Sequence, residues 1–586
     1  MLIRAEGSFK LARLAALLLL INNSVAFAAP PPALPPGPVP VLPGSVQPSQ
    51  VSRAIYQQQP KSQAQALAPV GTPQQATGSP LGANATKIKF ILKAVVLEGN
   101  KTFSTQQLSP IYKDKLGKEI TVAQLFEIVQ GITNYYRNSG YIISRAILPP
   151  QHVKNGTVKI QIIEGYIGTV AVSGNPRGAK CYVQAIGNQI MKDPPLKIDR
   201  MEKYLLIANE TPGTEVRAVM EPAKKNVGAS DIVLVTNNKP VSGYISYDDY
   251  GTLYIGPQQM TGSFALYSFI GSGDSGRLTL TKTPKGGELT YWDGNYTTPV
   301  DDQGDNVQVG YSRTHTHPLF FLRPVQIDGL NDNYYSMAQF PLIRTRSRNL
   351  TARAGFAWLD THTTALDQNL YTDHIRSVDA GLTYNFADSW YGANMLSGDY
   401  RMGLPMFGYT SNTNPQTAQT SRPGGRGDYA KFSISGSRLQ ALKGPWSLYG
   451  ALNGQWAFNP LLSSEQFTVG GSQIGRGYDV AEIIGDKGVS GSLELRYDLP
   501  WGTVLQTLQL YAFYDFGAIW NMKTEGGLQD KNSITSAGAG SRFYFTKYVS
   551  GNLYWSQPLT KQVASEELIH DGRRPRVFFS VVASFG

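Results

Sequence analysis

The chain has 586 residues, only 16% of them charged, and carries a formal net charge of +11. Such an excess suits nucleic acid or an anionic membrane surface, but no run of Lys and Arg with interleaved aromatic residues occurs, which argues against nucleic acid. The 60 Gly, 32 Tyr and 23 Phe favour an all-β protein, and the single cysteine, Cys181, excludes an intramolecular disulfide framework and a Cys-rich metal site.

Residues 1–28 have the features of a secretory signal peptide. Basic residues precede an apolar stretch at 14–21, and residues 26–28 form a small-x-small cleavage site. This stretch is too short to span a membrane as a helix, and no later run reaches the roughly 18 apolar residues that such a helix needs. A membrane location would therefore require a β-barrel.

Residues 29–86 are predicted to be a periplasmic linker rich in Pro and Gln. They hold 13 of the 36 prolines and two charged residues, Arg53 and Lys61, so they cannot build a core of their own. A short helix at 49–59 is compatible with the composition and would be broken by Pro60.

From residue 87 the pattern changes to two α+β units, at 87–165 and 166–240. Each is predicted to have the order β-α-α-β-β. In the first unit Thr121 is the expected cap of the longer helix. The predicted elements are strands at 90–97, 141–148 and 157–163 with helices from Ser104 and Thr121, then a strand at 167–172, helices at 179–191 and 198–209, and strands at 214–220 and 231–236.

Residues 241–586 consist of short runs in which apolar and polar residues alternate. Alternation by itself is compatible with a soluble sandwich, but an even number of runs, with long connections alternating with short ones, favours a transmembrane barrel. By parity, the connection at 459–487 is the sixth external loop. The sixteen runs lie near 241–249, 258–269, 275–283, 287–298, 305–315, 334–343, 349–360, 373–386, 390–402, 428–440, 446–458, 488–499, 506–520, 533–546, 549–558 and 573–586.

The last run places Val577, Phe579, Val581, Ala583 and Phe585 on one face, which should point outward. A C-terminal strand of this kind resembles the signal read by the outer-membrane assembly machinery. The chain departs from that pattern because Gly586 follows the aromatic residue.

Residues 135–151, YYRNSGYIISRAILPPQ, resemble the signature of the POTRA domain of ShlB-type haemolysin-secretion transporters. An unrelated small α+β domain is the alternative. The resemblance makes 87–165 the first POTRA domain and 166–240 the second, in which Cys181 is expected to pack as a small apolar residue. The residues that carry the signature are Tyr136, Gly140, Tyr141, Arg145, Pro149 and Pro150.

Residues 452–471, running into Gly475, Arg476, Gly477 and Tyr478, resemble the TpsB family of two-partner secretion transporters. In that family the motif is usually Val-Arg-Gly-Tyr or Val-Arg-Gly-Phe, so Gly475 replaces a common Val. With the other matching segments, the resemblance covers residues 87–586.

The segment 511–517 supplies a partner for this arginine. Strand alternation turns Asp515 toward the lumen, so we expect Arg476 to fold back into the barrel and pair with it. The alternative is a flexible, Gly-rich surface loop.

The resemblance implies an outer-membrane transporter with periplasmic POTRA domains, a β-barrel of sixteen strands, and no enzymatic activity or cofactor. Its expected partner is a TpsA-type exoprotein that carries an N-terminal secretion domain and crosses the barrel unfolded, without ATP. Outer-membrane lipid, the barrel-assembly machinery and periplasmic chaperones are further expected partners, and nucleic acid is not. In the family a helix before the POTRA domains can plug the pore, and residues 49–67 are the candidate here.

Two other functions share parts of this architecture: an insertase of the barrel-assembly type, and a passive porin or ligand-uptake channel. Two POTRA domains and the Pro149-Pro150-Gln151 segment argue against the insertase, and a porin would leave residues 87–240 unexplained. The cargo class stays open among adhesin, haemolysin, contact-dependent toxin and haem-scavenging protein.

The remaining motifs are weak. Residues 271–276 match G-x-G-x-x-G without a βαβ unit around them, so a periplasmic turn is expected. The Arg-Gly-Asp segment at 426–428 is expected to be a plain polar loop, the alternative being contact with host receptors. His315 and His317 share a face but lack further ligands nearby, so no metal site is predicted, and no P-loop or nucleophile–base pair occurs.

Overall fold

The N-terminal part of the chain contributes one helix that lies apart from the domains that follow it in sequence. The computed structural model describes residues 42–59, 88–223, 226, 228–411, 419–500, 506–522, 531–560 and 574–586. The predicted signal peptide and the rest of the linker lie outside the described residues. Helix α1 (Pro48–Gln58) begins with a proline at its first position and ends before Pro60, as the sequence predicted.

Residues 88–165 form a small α+β domain. A two-stranded sheet pairs β1 (Lys89–Ile91) with β3 (Glu119–Thr121), and a second sheet has the order β2-β5-β4. Thr121 caps α3 through a capping box with Gln124, as expected. The remaining elements are β2 (Ala94–Glu98), α2 (Thr105–Leu108), α3 (Val122–Asn138), β4 (Arg145–Ile147) and β5 (Thr157–Ile163).

Two strand predictions in this domain were too long. The predicted strand at 90–97 breaks at Leu92, whose backbone N–H donates to the carbonyl of Lys118. The predicted strand at 141–148 shortens to β4, because residues 141–144 form a turn closed by the Ser144 N–H and the Tyr141 carbonyl.

Residues 166–238 have the predicted order β-α-α-β-β, whereas in the first domain the short strand β3 lies between the two helices. The sheet order is β6-β8-β7, with two helices packed on one face. Cys181 is exposed, and the expectation that it packs in the core was wrong. It lies outside the buried stripe of its helix, which is formed by Val183, Ile186 and Ile190. The elements are β6 (Tyr166–Asn175), α4 (Lys180–Ile190), α5 (Ile198–Glu210), β7 (Thr214–Pro222) and β8 (Ala229–Asn238).

The C-terminal part forms a closed barrel of sixteen antiparallel strands, in which β9 pairs with both β10 and β26. The strands are β9 (Val241–Asp248), β10 (Gln259–Tyr267), β11 (Ser275–Lys282), β12 (Leu289–Pro299), β13 (Asn306–Thr316), β14 (Asp328–Arg344), β15 (Arg348–Ala365), β16 (Gln368–Ala387), β17 (Gly392–Gly403), β18 (Ala430–Ala441), β19 (Trp446–Ala457), β22 (Lys487–Pro500), β23 (Thr507–Trp520), β24 (Lys531–Tyr544), β25 (Val549–Pro558) and β26 (Arg576–Phe585). A separate hairpin, β20 (Phe467–Val469) and β21 (Ile483–Gly485), lies between β19 and β22.

All sixteen predicted runs correspond to barrel strands. Alternation behaves as a barrel requires: Leu493 and Leu495 are about half exposed on the outer wall, whereas Ser492 and Glu494 are buried on the inner wall. No helix in the described part of the chain is long and apolar enough to cross a membrane.

The second α+β domain is held to the short turns at one end of the barrel. The Tyr204 hydroxyl donates to Gln303 (2.7 Å), and the Tyr182 N–H donates to the hydroxyl of Ser272 (2.9 Å). Burial at this junction, together with nearby carboxylates of the turn 301–305, raises the pKa of Tyr182 to about 12. These contacts fix which end of the barrel faces the α+β domains.

Candidate functional site

Loop 6 (residues 458–486) starts at the barrel end opposite to the α+β domains and folds back into the lumen. Its tip, residues 470–479, contains four glycines with positive φ, of which Gly470 and Gly475 lie against each other. A Cβ at Gly475 would come within 3.0 Å of the Gly470 backbone. The chain can reverse this tightly because glycine adopts left-handed conformations without steric cost.

Arg476, at the end of this reversal, contacts the carboxylate of Asp515 on β23. Its Nε and Nη2 atoms lie 2.8 and 2.6 Å from the two oxygens, which makes the pair bidentate. The backbone N–H groups of Gly475 and Arg476 also donate to Asp515, at 3.1 and 3.0 Å. The structure therefore brings together the two residues that the sequence singled out.

Two further residues of the inner wall complete what we call the loop 6 clasp: Arg476, Asp515, Glu494 and Ser492. Nη1 of Arg476 lies 2.5 Å from a Glu494 oxygen, and Nη2 donates to the Ser492 hydroxyl at 2.8 Å. The guanidinium lies 3.6 Å above the ring of Phe513. With Arg476 at 3% and Asp515 at 0% exposure, the clasp is closed to solvent.

Glu494 was missed as a partner, although the sequence held a signal for it. The alternation of β22 placed Glu494 on the same inward face as Ser492 and Arg496. In the structure Glu494 also accepts from Arg496 at 2.8 Å and from Arg542 at 3.1 Å. One carboxylate thus serves three cations, which sequence spacing alone does not reveal.

The motif residue Tyr478 fixes the other side of the tip. It is buried, with its hydroxyl donating to the Thr535 carbonyl (3.1 Å) and accepting from the Thr560 N–H (3.1 Å). The next residue, Asp479, binds Arg576 of the last strand at 2.7 Å. At Gly477, an added Cβ would lie 2.7 Å from the Ser556 hydroxyl, so a side chain would not fit.

A second buried ion pair, Arg422 with Asp486, was not predicted. Asp486 accepts from the N–H groups of Leu461 (2.9 Å) and Met522 (2.8 Å), and Arg422 donates to the Leu461 carbonyl at 3.1 Å. The pair thereby connects loop 5 (residues 404–429), loop 6 and the segment after β23. Both residues lie in irregular loops, where no periodic pattern shows which side chains are buried.

Helix α1 occupies the lumen beside loop 6. One face of the helix, with Val51 and Ile55, and the preceding residue Val46 pack on an apolar patch that includes Tyr291 of β12 and Ile327 just before β14. Toward loop 6, Arg53 donates to the carbonyls of Ser464 and of Gln466 (2.8 Å), and Gln50 donates to the carbonyl of Ser463.

The segment that accepts these bonds is itself held to the wall by charge. Glu465 lies 2.7 Å from Lys431 and 3.5 Å from Arg401, and all three charges face the lumen beside Arg53. Asp379 lies 3.1 Å from Arg401 as well, so the cations beside α1 are shared between two carboxylates of the lumen.

In the first α+β domain, the signature residue Gly140 lies at the junction with the second domain. Gly140 has φ +93°, and its carbonyl accepts from the N–H of Ile198 at the start of α5 (2.8 Å). Ile142 and Ile143 pack against the core of the second domain. The left-handed conformation of Gly140 redirects the chain, so that the side chains of Ile142 and Ile143 point into the second domain. Residues 141–144 therefore form a turn and not a strand.

The other signature residues divide between core and surface. Tyr136 is buried and donates to Glu164 (2.8 Å); burial, and then this hydrogen bond, raises the pKa of its phenol. Tyr141 packs edge-on against Phe103, and Arg145 is exposed. Pro149 and Pro150 line an apolar groove of about 740 Å³.

The weaker motifs take structural roles. Residues 271–276 belong to the turn before β11, where Asp274 accepts from the N–H groups of Phe269 and Ile270. Arg426 and Asp428 pair with each other in bidentate fashion, at 3.0 and 2.6 Å, so their charges are mutually satisfied. His315 and His317 flank Asp328, and the described residues contain no group of three metal ligands.

Comparison with known proteins shows to which family this architecture belongs. The family model for the haemolysin secretion/activation protein ShlB/FhaC/HecB matches residues 228–543, more than half of the chain, and the ShlB-type POTRA domain matches residues 90–165. The chain belongs to this family. It is therefore an outer-membrane transporter of two-partner secretion, with its barrel in the outer membrane and its POTRA domains in the periplasm.

Curated relatives and solved structures agree with the assignment. The heme/hemopexin transporter protein HuxB of Haemophilus influenzae (strain 86-028NP) is 25% identical over 83% of this chain and 87% of its own length. The outer membrane transporter CdiB of Dickeya dadantii is 23% identical over 77% and 79%. The structure of CdiB from Escherichia coli covers 92% of this chain and 99% of its own, with a TM-score of 0.72 and 19% identity, and so shows the same fold.

Proposed function

We propose that this transporter exports a TpsA-type exoprotein that arrives unfolded in the periplasm, binds the POTRA domains through its N-terminal secretion domain, and leaves through the barrel lumen. The proposal rests on what the barrel lumen contains. Two elements, loop 6 and α1, lie in the lumen without being part of the wall, and each is bound there by side chains rather than by strand pairing. Such elements are able to move without opening the barrel.

The two elements are held differently. Arg476 is bound to the three other residues of the clasp and is closed to solvent, so the tip of loop 6 is a fixed part of the closed channel. Helix α1 is bound to loop 6 by side-chain bonds to carbonyls, and two amide oxygens at its start, Gln47 Oε1 and Gln50 Oε1, are buried without a hydrogen-bond partner among the described residues. Buried unpaired polar groups weaken an interface. We infer that α1 is the plug that leaves first.

Capture is proposed to use the apolar groove of the first POTRA domain. Ile88, Ile91 and Val153 are each at least 40% exposed there, and Pro149 and Pro150 form the opposite lining. An unfolded chain offers extended segments with apolar side chains, which fit such a groove or add to an exposed strand edge such as β2 or β4.

Export is proposed to need neither nucleotide nor catalysis. The direction of transport then comes from folding of the exoprotein outside the cell, because each folded segment is too large to slide back through the lumen. The bilayer, the barrel-assembly machinery and periplasmic chaperones are proposed as partners during biogenesis.

The test is co-expression with a large secreted protein from a neighbouring gene, chosen for its N-terminal secretion domain, followed by immunoblotting of the culture medium. We expect secretion with the unmodified transporter and its loss with Ile91→Glu, which places a charge in the groove. Glu119→Gln, on the exposed surface of the neighbouring strand β3, is the control and should secrete normally. Secretion that persists with Ile91→Glu would contradict capture by the groove.

The same strains distinguish an insertase. If the protein inserted barrels, its deletion would lower the amounts of unrelated outer-membrane proteins, whereas a secretion transporter leaves them unchanged. An export step that proceeds only when ATP is supplied to the purified, reconstituted transporter would contradict transport without nucleotide.

A further inference from the structure

The outer wall of the barrel carries an apolar hollow of about 790 Å³. It crosses β17, β18, β19, β22 and β23, and its floor is low because Gly436 and Gly450 have no side chains. The side chains that surround it point away from the lumen and are 38 to 55% exposed: Leu396, Ile434, Leu452, Leu493 and Phe516. In an outer-membrane protein this surface faces acyl chains.

A group of charged and polar side chains borders the hollow at its periplasmic end. Arg438 points outward from β18, with Nη1 at 2.5 Å from Asp388 and at 2.7 Å from the side-chain oxygen of Asn394. Asp388 lies in the short turn before β17, and Trp390 of the same turn is 76% exposed. Ion pairs and tryptophans on the lipid side of a barrel belong at the level of the headgroups.

Strand register makes the polar group and the hollow one continuous surface. Arg438 pairs with Asn394 on one side and with Gly450 on the other, and Gly450 in turn pairs with Leu493. A molecule with a charged head and an apolar tail would therefore find both parts within a single row of outward-facing residues.

We propose that this hollow binds one phospholipid of the periplasmic leaflet, of the phosphatidylethanolamine type. Its phosphate lies on Arg438, its ammonium lies near Asp388, and an acyl chain covers Gly436 and Gly450. The choice of headgroup follows from charge. A zwitterionic headgroup has a phosphate for Arg438 and an ammonium for Asp388. An anionic lipid such as phosphatidylglycerol has no cation to offer Asp388.

The outer wall of the barrel contains a second hollow of similar size, which provides a control for the binding experiment. This second hollow, of about 760 Å³, crosses β10 to β13, with Gly294 in its floor. Among the described residues that line it, Arg277 is the one cation, and it donates to Ser263 on the lumen side. An added Cβ would meet a leucine methyl at 3.9 Å both at Gly450 and at Gly294, so both positions accept a larger residue equally.

The test is native mass spectrometry of the purified, folded full-length protein, titrated with phosphatidylethanolamine or phosphatidylglycerol. We expect the unmodified protein to bind one phosphatidylethanolamine more tightly than phosphatidylglycerol. Arg438→Ala should weaken binding about tenfold, because it removes one charge-assisted contact. Gly450→Leu should also weaken binding about tenfold, because the added side chain occupies the space of the acyl chain. Gly294→Leu should bind as the unmodified protein does.

Asp388→Asn tests the headgroup. It should remove the preference for phosphatidylethanolamine while leaving binding of phosphatidylglycerol unchanged or improved. Equal binding by the unmodified protein and Gly450→Leu would overturn the site, and equal affinity of the unmodified protein for the two lipids would overturn the assignment of the headgroup. Heat-modifiable migration in gels verifies that each variant is a folded barrel before it is compared.

Discussion

Arg476 keeps its charge at any physiological pH, so a position with 3% exposure requires acceptors that neutralise it. Asp515 takes four hydrogen bonds from the tip of loop 6, two from the side chain of Arg476 and two from backbone N–H groups. Glu494 takes one from Arg476 and others from Arg496 and Arg542. Asp515 is therefore the main anchor of the tip, and Glu494 connects the anchor to the wall.

The first prediction concerns the loss of this charge. Arg476→Ala leaves the buried carboxylate of Asp515 without its cation, while Glu494 keeps Arg496 and Arg542. The variant should destabilise the tip of loop 6 by about 3–5 kcal/mol, the usual cost of removing one partner of a buried pair. We expect protease cleavage within residues 470–479 and a loss of secretion at normal barrel abundance. Arg476→Lys should fail too, because an ammonium cannot form the bidentate contact.

Arg496→Ala is the matched control for that experiment. Arg496 also binds Glu494 and lies over the ring of Tyr449, yet no contact joins it to loop 6. The tip should stay protected in this variant. Cleavage equal to that of Arg476→Ala would show that the wall as a whole, rather than the clasp, holds the loop.

The second prediction concerns Gly475, the position at which the resemblance to the TpsB motif leads us to expect Val. Here φ is +83° and a Cβ would be 3.0 Å from the Gly470 backbone, so a residue with a Cβ would be strained. A left-handed conformation costs about 1–2 kcal/mol for a residue with a Cβ, and more for a β-branched one. Gly475→Val should lower secretion more than Gly475→Ala does, measured by blotting the medium; the reverse order would contradict it.

How far the sequence predicts this site depends on where each residue lies. The inward orientation of Asp515 and of the polar face of β22 follows from strand alternation. For that reason the sequence predicts the pair of Arg476 and Asp515. Arg422 and Asp486 have no such signal, because burial in an irregular loop depends on the packing of three loops at once. The orientation of Ile142 and Ile143 likewise depends on one left-handed glycine.

At the scale of elements, the barrel strands were located but three were predicted too short. The runs at 334–343, 349–360 and 373–386 correspond to β14, β15 and β16, which extend to 328–344, 348–365 and 368–387. Their extra residues lie toward the end opposite to the POTRA domains. There the outer face meets water instead of lipid, so apolar alternation fades while backbone pairing continues.

Helix α1 gives the third prediction. Arg53 contributes two hydrogen bonds from a charged group to loop 6, each worth about 1.5–3 kcal/mol. Arg53→Ala should therefore increase the fraction of time that the pore is open, seen as higher ion conductance in planar bilayers. Deleting residues 29–67 should give the largest conductance.

Gln57, exposed on the same helix, provides the control. Gln57→Ala keeps the length and the helix propensity of α1 and should conduct like the unmodified protein. No increase in conductance on deletion of residues 29–67 would mean that α1 does not close the pore.

At the scale of the whole molecule, the second α+β domain is attached to three successive short turns of the barrel. Gln303 and Ser272 receive hydrogen bonds from it, and Arg344 and Arg346 form ion pairs with Glu210 and Glu202. A domain fixed at three points directs a captured chain toward the lumen, whereas a freely rotating one would not.

The fourth prediction tests this attachment by exchanging charges. Glu202 and Arg346 lie 3.1 Å apart, and the arginine is about half exposed, so the pair contributes on the order of 1 kcal/mol and is screened by salt. Reversal is more damaging than removal, because it places like charges together. Glu202→Arg and Arg346→Glu should each lower secretion and increase hydrogen exchange in α5, and the double variant should recover both in part. The ion pair is then restored with opposite polarity, whereas the hydrogen bond from the Arg346 backbone N–H to Glu202 (3.2 Å) is not. If each single variant secretes normally, or if the double variant is no better than the worse single one, the docked position of this domain is not what export requires.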